Sequence, residues 1–587
     1  MRSTRRSDGS AAGTRGDGWR RVRGVAVVVV LAALSVAAVR HWPEPPIGPR
    51  YVGAGDPTPR SGGTFVFAGG SNIRTFDPHV AYDQLSYMGI RLLFDGLLDY
   101  DRDSHLVPSL AVALPEVSNG GRTFRFELRR GVRFHNGREL TADDVVWSMR
   151  ALLSSESASP GYPFYKAIVG APDFHAGKRD DIPGIKKLGR YTVEFTLTEP
   201  DHTFLNAMAL PFAYPVPREN YERWAKVGPD AVGRHPVGTG PFELVRWERG
   251  VEAVFKRFDG YWNQPHPGPD EMVFLENLAG PVATARFRNG DLDAIAGMPA
   301  VDYLFFKKSR AWKPYLDQYP GVTIWGLAMN CEMAPFDDVH VRRAVAFAIN
   351  RKALSRALQG RALPTGQLLP PAIPGYDPDL PDRQYYDPER AKEEMALAGH
   401  PDGLAAPVTA WIGDSDNSRL IAQLWQQDLR EIGIDVALRQ VSFATYLEAT
   451  AKKDTAQMFP SGWNMDFPDA SNFLFLFDSH SIHPSHSDNR SFYRNPELDR
   501  LLAKARPETD PAARVKLYRE ANDIVARDAP WAFLYTPLEM EVWQPYVMGY
   551  RPHPIWLEDY RDVWLDLPRH RVPQSRYRDE PARAEAP

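Results

Sequence analysis

The chain has 587 residues, enough for two or three domains with sizeable cores. Acidic and basic residues nearly balance at a formal net charge of −4, so no basic excess points to nucleic acid. The single cysteine, Cys331, excludes an intramolecular disulfide and reads as a small buried hydrophobe, while 52 prolines argue for many loops and against a coiled-coil rod.

Arg20, Arg21 and Arg23 precede an uncharged, mostly apolar run over residues 24–39. As a helix that run reaches roughly 24 Å, short of the roughly 30 Å hydrocarbon layer. The basic flank and the small residues Ser35-Val36-Ala37 resemble an export signal. Arg40-His41-Trp42 after the run leaves an uncleaved, tilted anchor open. The basic side is expected to stay in the cytoplasm, which places the rest in the periplasm or on the outer face of the cytoplasmic membrane. No cysteine follows the run, so the chain is not expected to be a lipoprotein, and Arg20-Arg21 matches twin-arginine export poorly. Residues 40–61 read as a Pro- and Gly-rich linker, and residues 569–587 as a disordered tail.

Residues 121–149 combine three local structures. Phe124, Phe126 and Leu128 alternate with charged residues, the pattern of a half-buried strand. Asn136-Gly137 marks a tight turn. Thr141-Ala142-Asp143-Asp144 opens a helix whose stripe is Val145, Val146, Met149 and Leu152. A second helix begins near Asp338, with Val341, Val345, Ala348 and Ile349 on one face. Further on, Val408, Ala410 and Ile412 alternate in a strand. Leu420, Ile421, Leu424, Trp425, Leu429 and Ile432 form a helical stripe that Gly433 can end. Ile434, Val436 and Leu438 make the next strand, which completes a βαβ crossover and predicts parallel pairing in a mixed α/β protein.

The order of residues in 121–149 resembles the signature segment of the family 5 extracellular solute-binding proteins, receptors that deliver peptides, nickel complexes or other solutes to ABC importers. Matching segments follow in family order: Phe94-Asp95-Gly96-Leu97-Leu98, Pro236-Val237-Gly238-Thr239-Gly240-Pro241-Phe242, Phe258-Asp259-Gly260-Tyr261-Trp262, Asn289-Gly290-Asp291-Leu292-Asp293, Pro335-Phe336-Asp337-Asp338, Gly462-Trp463-Asn464-Met465-Asp466 and Tyr493-Arg494-Asn495-Pro496. The resemblance spans about residues 63–567. It implies a two-lobed periplasmic-binding-protein fold of type II, in its large three-domain variant, with mixed sheets and a ligand cleft between lobes. The first lobe is expected over 62–327, with a subdomain at about 94–234. The second lobe is expected over 328–531, with a return to the first over 532–568. Residues 326–330 and 531–535 are the hinge candidates.

The resemblance also implies where the ligand sits. Taken alone, Asp466 reads as a loop acid capping a backbone N–H. In peptide-binding relatives the acid of the Gly-Trp-x-x-Asp segment pairs with the ligand's α-ammonium, and Gly462, Trp463 and Asp466 keep that spacing. Trp463 reads either as core or as the cavity-wall tryptophan of the family. Phe467 and Phe443 are further pocket candidates, and Tyr82, Asp83 and Tyr87 lie where the first lobe's early loop approaches ligand. Pro468 stiffens the loop after Asp466, and Pro460-Ser461 stands where some peptide binders carry a basic residue.

His480, His483 and His486 permit a metal-binding alternative, although their Ser- and Pro-containing surroundings read as a solvated loop. No nucleophile elbow, His-Glu-x-x-His helix or phosphate-binding Lys-Ser/Thr loop is present. The expectation is therefore a monomeric, non-catalytic receptor without a cofactor, whose partners are a peptide or peptide-like solute and an ABC permease. An exported hydrolase, with carboxylates assembled from distant sequence, is the reading from a different class.

Overall fold

The computed structural model describes residue 49 and residues 55–567, apart from 267, 382 and 484–486. The expected export segment, most of the linker, the tail and His486 lie outside these residues. Among the described residues no helix is long and apolar enough to cross a membrane.

Three sheets organise the chain into two lobes. In the first lobe, strands Thr64–Ala68, Glu271–Leu275, Glu252–Arg257 and Phe242–Glu248 lie side by side in that order. The first pair is parallel and the others antiparallel. A second sheet has the order Glu116–Ser118, Thr123–Glu127, Thr192–Thr196, Ile185–Gly189 and is antiparallel throughout. Phe124 and Phe126 point inward and Arg125 and Glu127 outward, as the alternation predicts. The helix Ala142–Leu153 packs on this sheet and buries Val145, Met149 and Leu152. Its N-terminus is closed by Asp144, whose Oδ2 accepts from both the Thr141 backbone N (2.9 Å) and the Thr141 hydroxyl (3.2 Å).

The third sheet belongs to both lobes. Its order is Ala294–Ile295, Trp531–Trp543, Thr323–Met329, Met458–Asn464, Val408–Gly413, Val436–Val441. Val408–Gly413 and Val436–Val441 pair in parallel through the helix Asp416–Arg430, so the expected crossover is present. Ile421, Trp425, Leu429 and Ile432 of its stripe are buried, but Leu420 is exposed at 43%, on the helix's outer side. The helix near Asp338 spans Val339–Ala348, with Asp338 as its cap.

Trp531–Trp543 is the spine. Its first part pairs with Thr323–Met329 and Ala362–Pro364, and its second part with Leu316–Pro320 and Ala294–Ile295. The expected hinge segments, 326–330 and 531–535, pair with each other inside the sheet. The two connections pass between the groups of strands at 320–323 and 536–538, where Gly321 N donates to Pro537 O at 2.8 Å. One continuous buried cluster joins the 94–234 region, through Phe126, Phe195 and Phe212, to Phe473, Phe477 and Trp531 of the other lobe.

The family-like glycine segment serves this packing. The Gly238 Cα lies so close to the Leu93 carbonyl that an added Cβ would stand 2.0 Å from its oxygen. Only glycine lets the strand lead-in lie against that backbone. Cys331 is half-buried, and burial pushes its thiol up to about 11, so it stays protonated.

A buried ion cluster fastens the C-terminal segment to the first lobe. Arg91 bridges Asp99 (3.1 Å) and Asp559 (2.8 Å) and lies 4.3 Å over the Trp556 ring, while Arg561 reaches Asp99 at 2.8 Å. Burial alone would raise both acids, but the Arg91 and Arg561 guanidiniums outweigh it and hold both below the usual carboxylate range. Their stabilisation is present above the unfolded value of about 3.9 and is lost as pH falls toward the depressed folded values. Asp559→Asn leaves two buried guanidiniums under-compensated. It is expected to lower the unfolding free energy in urea at pH 7 by about 3 kcal/mol, followed by tryptophan fluorescence. A change below about 0.5 kcal/mol would show that the cluster does not carry this stability.

Candidate functional site

The strand Met458–Asn464 carries the site into the seam between the lobes. It pairs along its whole length with Thr323–Met329, placing Gly462 opposite Trp325 and Trp463 opposite Ile324. A Cβ on Gly462 would meet the Trp325 ring at 2.8 Å, so glycine here lets Trp325 lie across the strand. Trp463 points to the other face, half-buried, with its ring 5.0 Å from Phe475.

Beyond Asn464 the chain leaves the sheet and turns into the short helix Ser471–Leu474. Asn472 clips this turn back onto the strand. Its Oδ1 accepts from Trp463 Nε1 (3.1 Å) and from Asp466 N (2.8 Å), and its Nδ2 donates to Asp466 Oδ2 (2.9 Å). The two donors to Oδ1 fix which way the Asn472 amide faces, so one carboxylate oxygen of Asp466 is held in place. Asp469 anchors the base of the turn through Arg514 and Tyr518.

The other wall comes from the start of the helix Gln84–Leu93. Asp83 caps it, accepting from Ser86 N (2.9 Å) and Ser86 Oγ (2.8 Å). One residue earlier, the Tyr82 hydroxyl donates to Asp466 Oδ1 at 2.6 Å, a hydrogen bond across the seam between residues 384 positions apart. On the same helix, the Tyr87 hydroxyl is buried and finds no hydrogen-bond partner among the described residues, and the Asp466 charge adds to burial in raising its pKa. Phe212 touches both tyrosines and Phe164, with ring centroids 5.5, 6.4 and 5.8 Å away. Phe164 in turn meets Phe467 at 6.3 Å, closing an aromatic wall across the lobes.

The Asp466 carboxylate has no Lys or Arg within ion-pair distance among the described residues. Burial raises Asp466 above the ordinary carboxylate value, and the Asn472 and Tyr82 donors only partly offset it. Beside Tyr82, Gln84 Nε2 donates to Glu558 at 2.5 Å. Burial also raises Glu558, Glu539 and Glu541, whose strand leads away from the seam. Among the described residues none of these four acids has a Lys or Arg within ion-pair distance. The Asp466 carboxylate is therefore desolvated and held by neutral donors, Asn472 and Tyr82.

The structure thus brings together Trp463, Asp466, Phe467, Tyr82 and Tyr87. Among the described residues Asp466 caps no backbone N–H, as it would in an ordinary loop. Asp83 uses both carboxylate oxygens on its helix. Phe443 stands on the first turn of the helix Phe443–Thr450, 65% exposed, with a ring contact to Tyr446 at 6.3 Å. His480 pairs with Asp478 at 2.8 Å and lies near Asp499 rather than with His483. Asp478 also caps the turn at Ser479–Ser481, and Asp499 accepts from Ser479 N and Oγ. Sequence reasoning missed Asn472, Phe164 and Phe212. No spacing rule marks an amide six residues beyond the acid it orients.

A family model described as bacterial extracellular solute-binding proteins, family 5 Middle, matches residues 105–484. The chain belongs to this family. It is 29% identical over 511 residues to the dipeptide-binding protein of Escherichia coli (strain K12), covering 85% of this chain and 92% of that protein. It is 30% identical over 476 residues to the glutathione-binding protein GsiB of Salmonella choleraesuis (strain SC-B67), covering 79% and 87%. The solved structure of clavulanic acid biosynthesis oligopeptide binding protein 2 matches with a TM-score of 0.79 at 28% identity, covering 88% of this chain and 99% of that one. The fold is the two-lobed, type II periplasmic-binding-protein architecture of this family, with mixed sheets, and the family is one of extracellular solute-binding receptors.

Asn472→Ala removes a donor that holds Asp466 down, so the carboxyl should titrate at still higher pH. Carbon-13 NMR of aspartate-labelled protein, with the resonance assigned through Asp466→Asn, would report this. An unmoved titration would show that Asn472 does not control the carboxylate.

Proposed function

We propose that this protein captures peptides or peptide-like solutes outside the inner membrane and presents them to an ABC permease, with Asp466 taking the ligand's free α-ammonium. The observation that carries this reading is a desolvated carboxylate at the seam of two lobes, oriented by Asn472 and paired with no Lys or Arg among the described residues. An ammonium compensates such a group through charge-assisted hydrogen bonds, and the fixed oxygen makes the contact directional. Trp463 and Phe467 supply the apolar wall beside it, and the buried Tyr87 hydroxyl offers a donor or acceptor to the first peptide unit. The names of the relatives, for dipeptide, glutathione and oligopeptide binding, agree with this chemistry.

Capture works by closure. A ligand held by Asp466 on one lobe and Tyr87 on the other makes both contacts only when the lobes meet, so it favours the closed form by that difference. The connections at 320–323 and 536–538 are the hinge in this reading, between a first lobe of about 62–327 with its 94–234 subdomain and a second lobe of about 328–531. The permease reads the closed form, and the solute leaves chemically unchanged. Residues 24–39 export the chain or anchor it to the membrane.

The test is calorimetry with peptides selected from a free-amine di- to pentapeptide library by retention on the protein. Asp466→Asn should weaken such a peptide roughly 10- to 100-fold. Binding requires the ionised acid, and burial raises its pKa. Wild-type affinity should therefore fall on acidification at a higher pH than an ordinary carboxylate would give, and Asp466→Asn should abolish that limb. Equal affinity of the two proteins would remove Asp466 from the role.

A further inference from the structure

We infer that Tyr82 is a built-in stand-in for the ligand's cation, and that it sets how strongly the receptor discriminates between charged and neutral N-termini. This rests on the proposed pairing of Asp466 with an ammonium. The Tyr82 hydroxyl already donates to Asp466 Oδ1 at 2.6 Å, while Oδ2 is held independently by Asn472 at 2.9 Å. One oxygen therefore belongs to the scaffold and the other to an exchangeable partner.

Three features make Tyr82 exchangeable. It is 42% exposed, so its hydroxyl can turn to water. It sits one residue before the capping Asp83, so its side chain can move without disturbing the helix Gln84–Leu93. Its ring rests on Phe212 at 5.5 Å through apolar contact alone, which constrains rotation weakly. The deeper Tyr87, whose hydroxyl is buried, has none of this freedom.

The exchange has a direction. A neutral phenol is a weaker partner for a carboxylate than an ammonium, whose charge-assisted bond is about twice as strong. A free-amine peptide displaces Tyr82, at the cost of the phenol's bond. An N-acetylated peptide brings no cation, so Tyr82 stays on Asp466 and keeps that carboxylate satisfied as the lobes meet. Without the hydroxyl, closure on the acetylated ligand leaves one buried carboxylate oxygen unpaired, a penalised state. Tyr82 thus weakens binding of cationic ligands and tolerates neutral ones. It narrows the gap between the two classes.

The test measures a ratio, which a general change in stability does not move. The probes are a library-selected free-amine peptide and its N-acetylated form, with affinities by calorimetry on wild type, Tyr82→Phe, Asp466→Asn and the double variant. Tyr82→Phe keeps the ring on Phe212. It is expected to raise the ratio of free-amine to acetylated affinity roughly fivefold or more, and this effect should vanish in the Asp466→Asn background. An unchanged ratio, or a free-amine affinity that falls more than the acetylated one, would overturn the proposal and make Tyr82 an ordinary ligand contact. Asp466→Asn alone leaving the free-amine peptide unaffected would overturn the ammonium reading itself, and the stand-in with it. So would retention of no library member.

Discussion

The strand Trp531–Trp543 is the constraint on which the rest of the molecule depends. Thirteen residues of one chain provide ladder partners to both lobes, Thr323–Met329 at one end and Leu316–Pro320 at the other. Backbone groups in a sheet must be paired, so each end of this strand is fixed by its own lobe. Between the two ladders Gly321 N meets Pro537 O, and on the strand's other side Thr536 and Pro537 pair with Leu363 and Ala362. Pro537 has no N–H to lose from a ladder, which suits a position where pairing changes hands.

Parts of this architecture were legible in the sequence, and the reason is local periodicity. Val408 to Leu438 announced a βαβ unit because one strand alternates, one helix keeps a stripe and a glycine sits between helix and strand. Residues 121–149 did the same for the strand Thr123–Glu127 and the helix Ala142–Leu153. The spine was harder to read. Residues 531–536 are buried on both faces, so Trp531 to Thr536 show no alternation, and Pro537 speaks against a strand running through it. That strand is specified by its neighbours rather than by its own pattern. The expected hinge segments, 326–330 and 531–535, lie within this stretch and its partner strand.

The site was legible only in part for a related reason. Trp463 and Asp466 come from one strand end and carry a recognisable spacing. Their counterpart Tyr82 lies 384 residues earlier, and no pattern in either segment predicts that they meet. Asn472 is equally silent, an asparagine in an irregular turn whose importance exists only once the turn is folded. Asp83, which sequence position alone groups with Tyr82, turned out to serve its helix. Adjacent residues at a helix start thus divide between capping and the seam according to which way each side chain leaves the backbone.

Burial by itself does not separate scaffold acids from site acids in this protein. Asp95 and Asp293 are fully buried and raised by desolvation to about 6, yet both are held by side chains that cannot leave. Thr239, Tyr261 and Trp262 close around Asp95, and Tyr546 with the Val66 backbone closes around Asp293. Asp99 and Asp559 are locked more firmly still, by guanidiniums. Asp466 shares the desolvation but differs in its donors, since one is buried in the turn and the other stands at the surface of the opposite lobe. Its two oxygens thus have partners of different kinds, Asn472 on Oδ2 and the partly exposed Tyr82 on Oδ1. The exposure of the donor, more than the acidity of the acid, distinguishes this position from the scaffold acids.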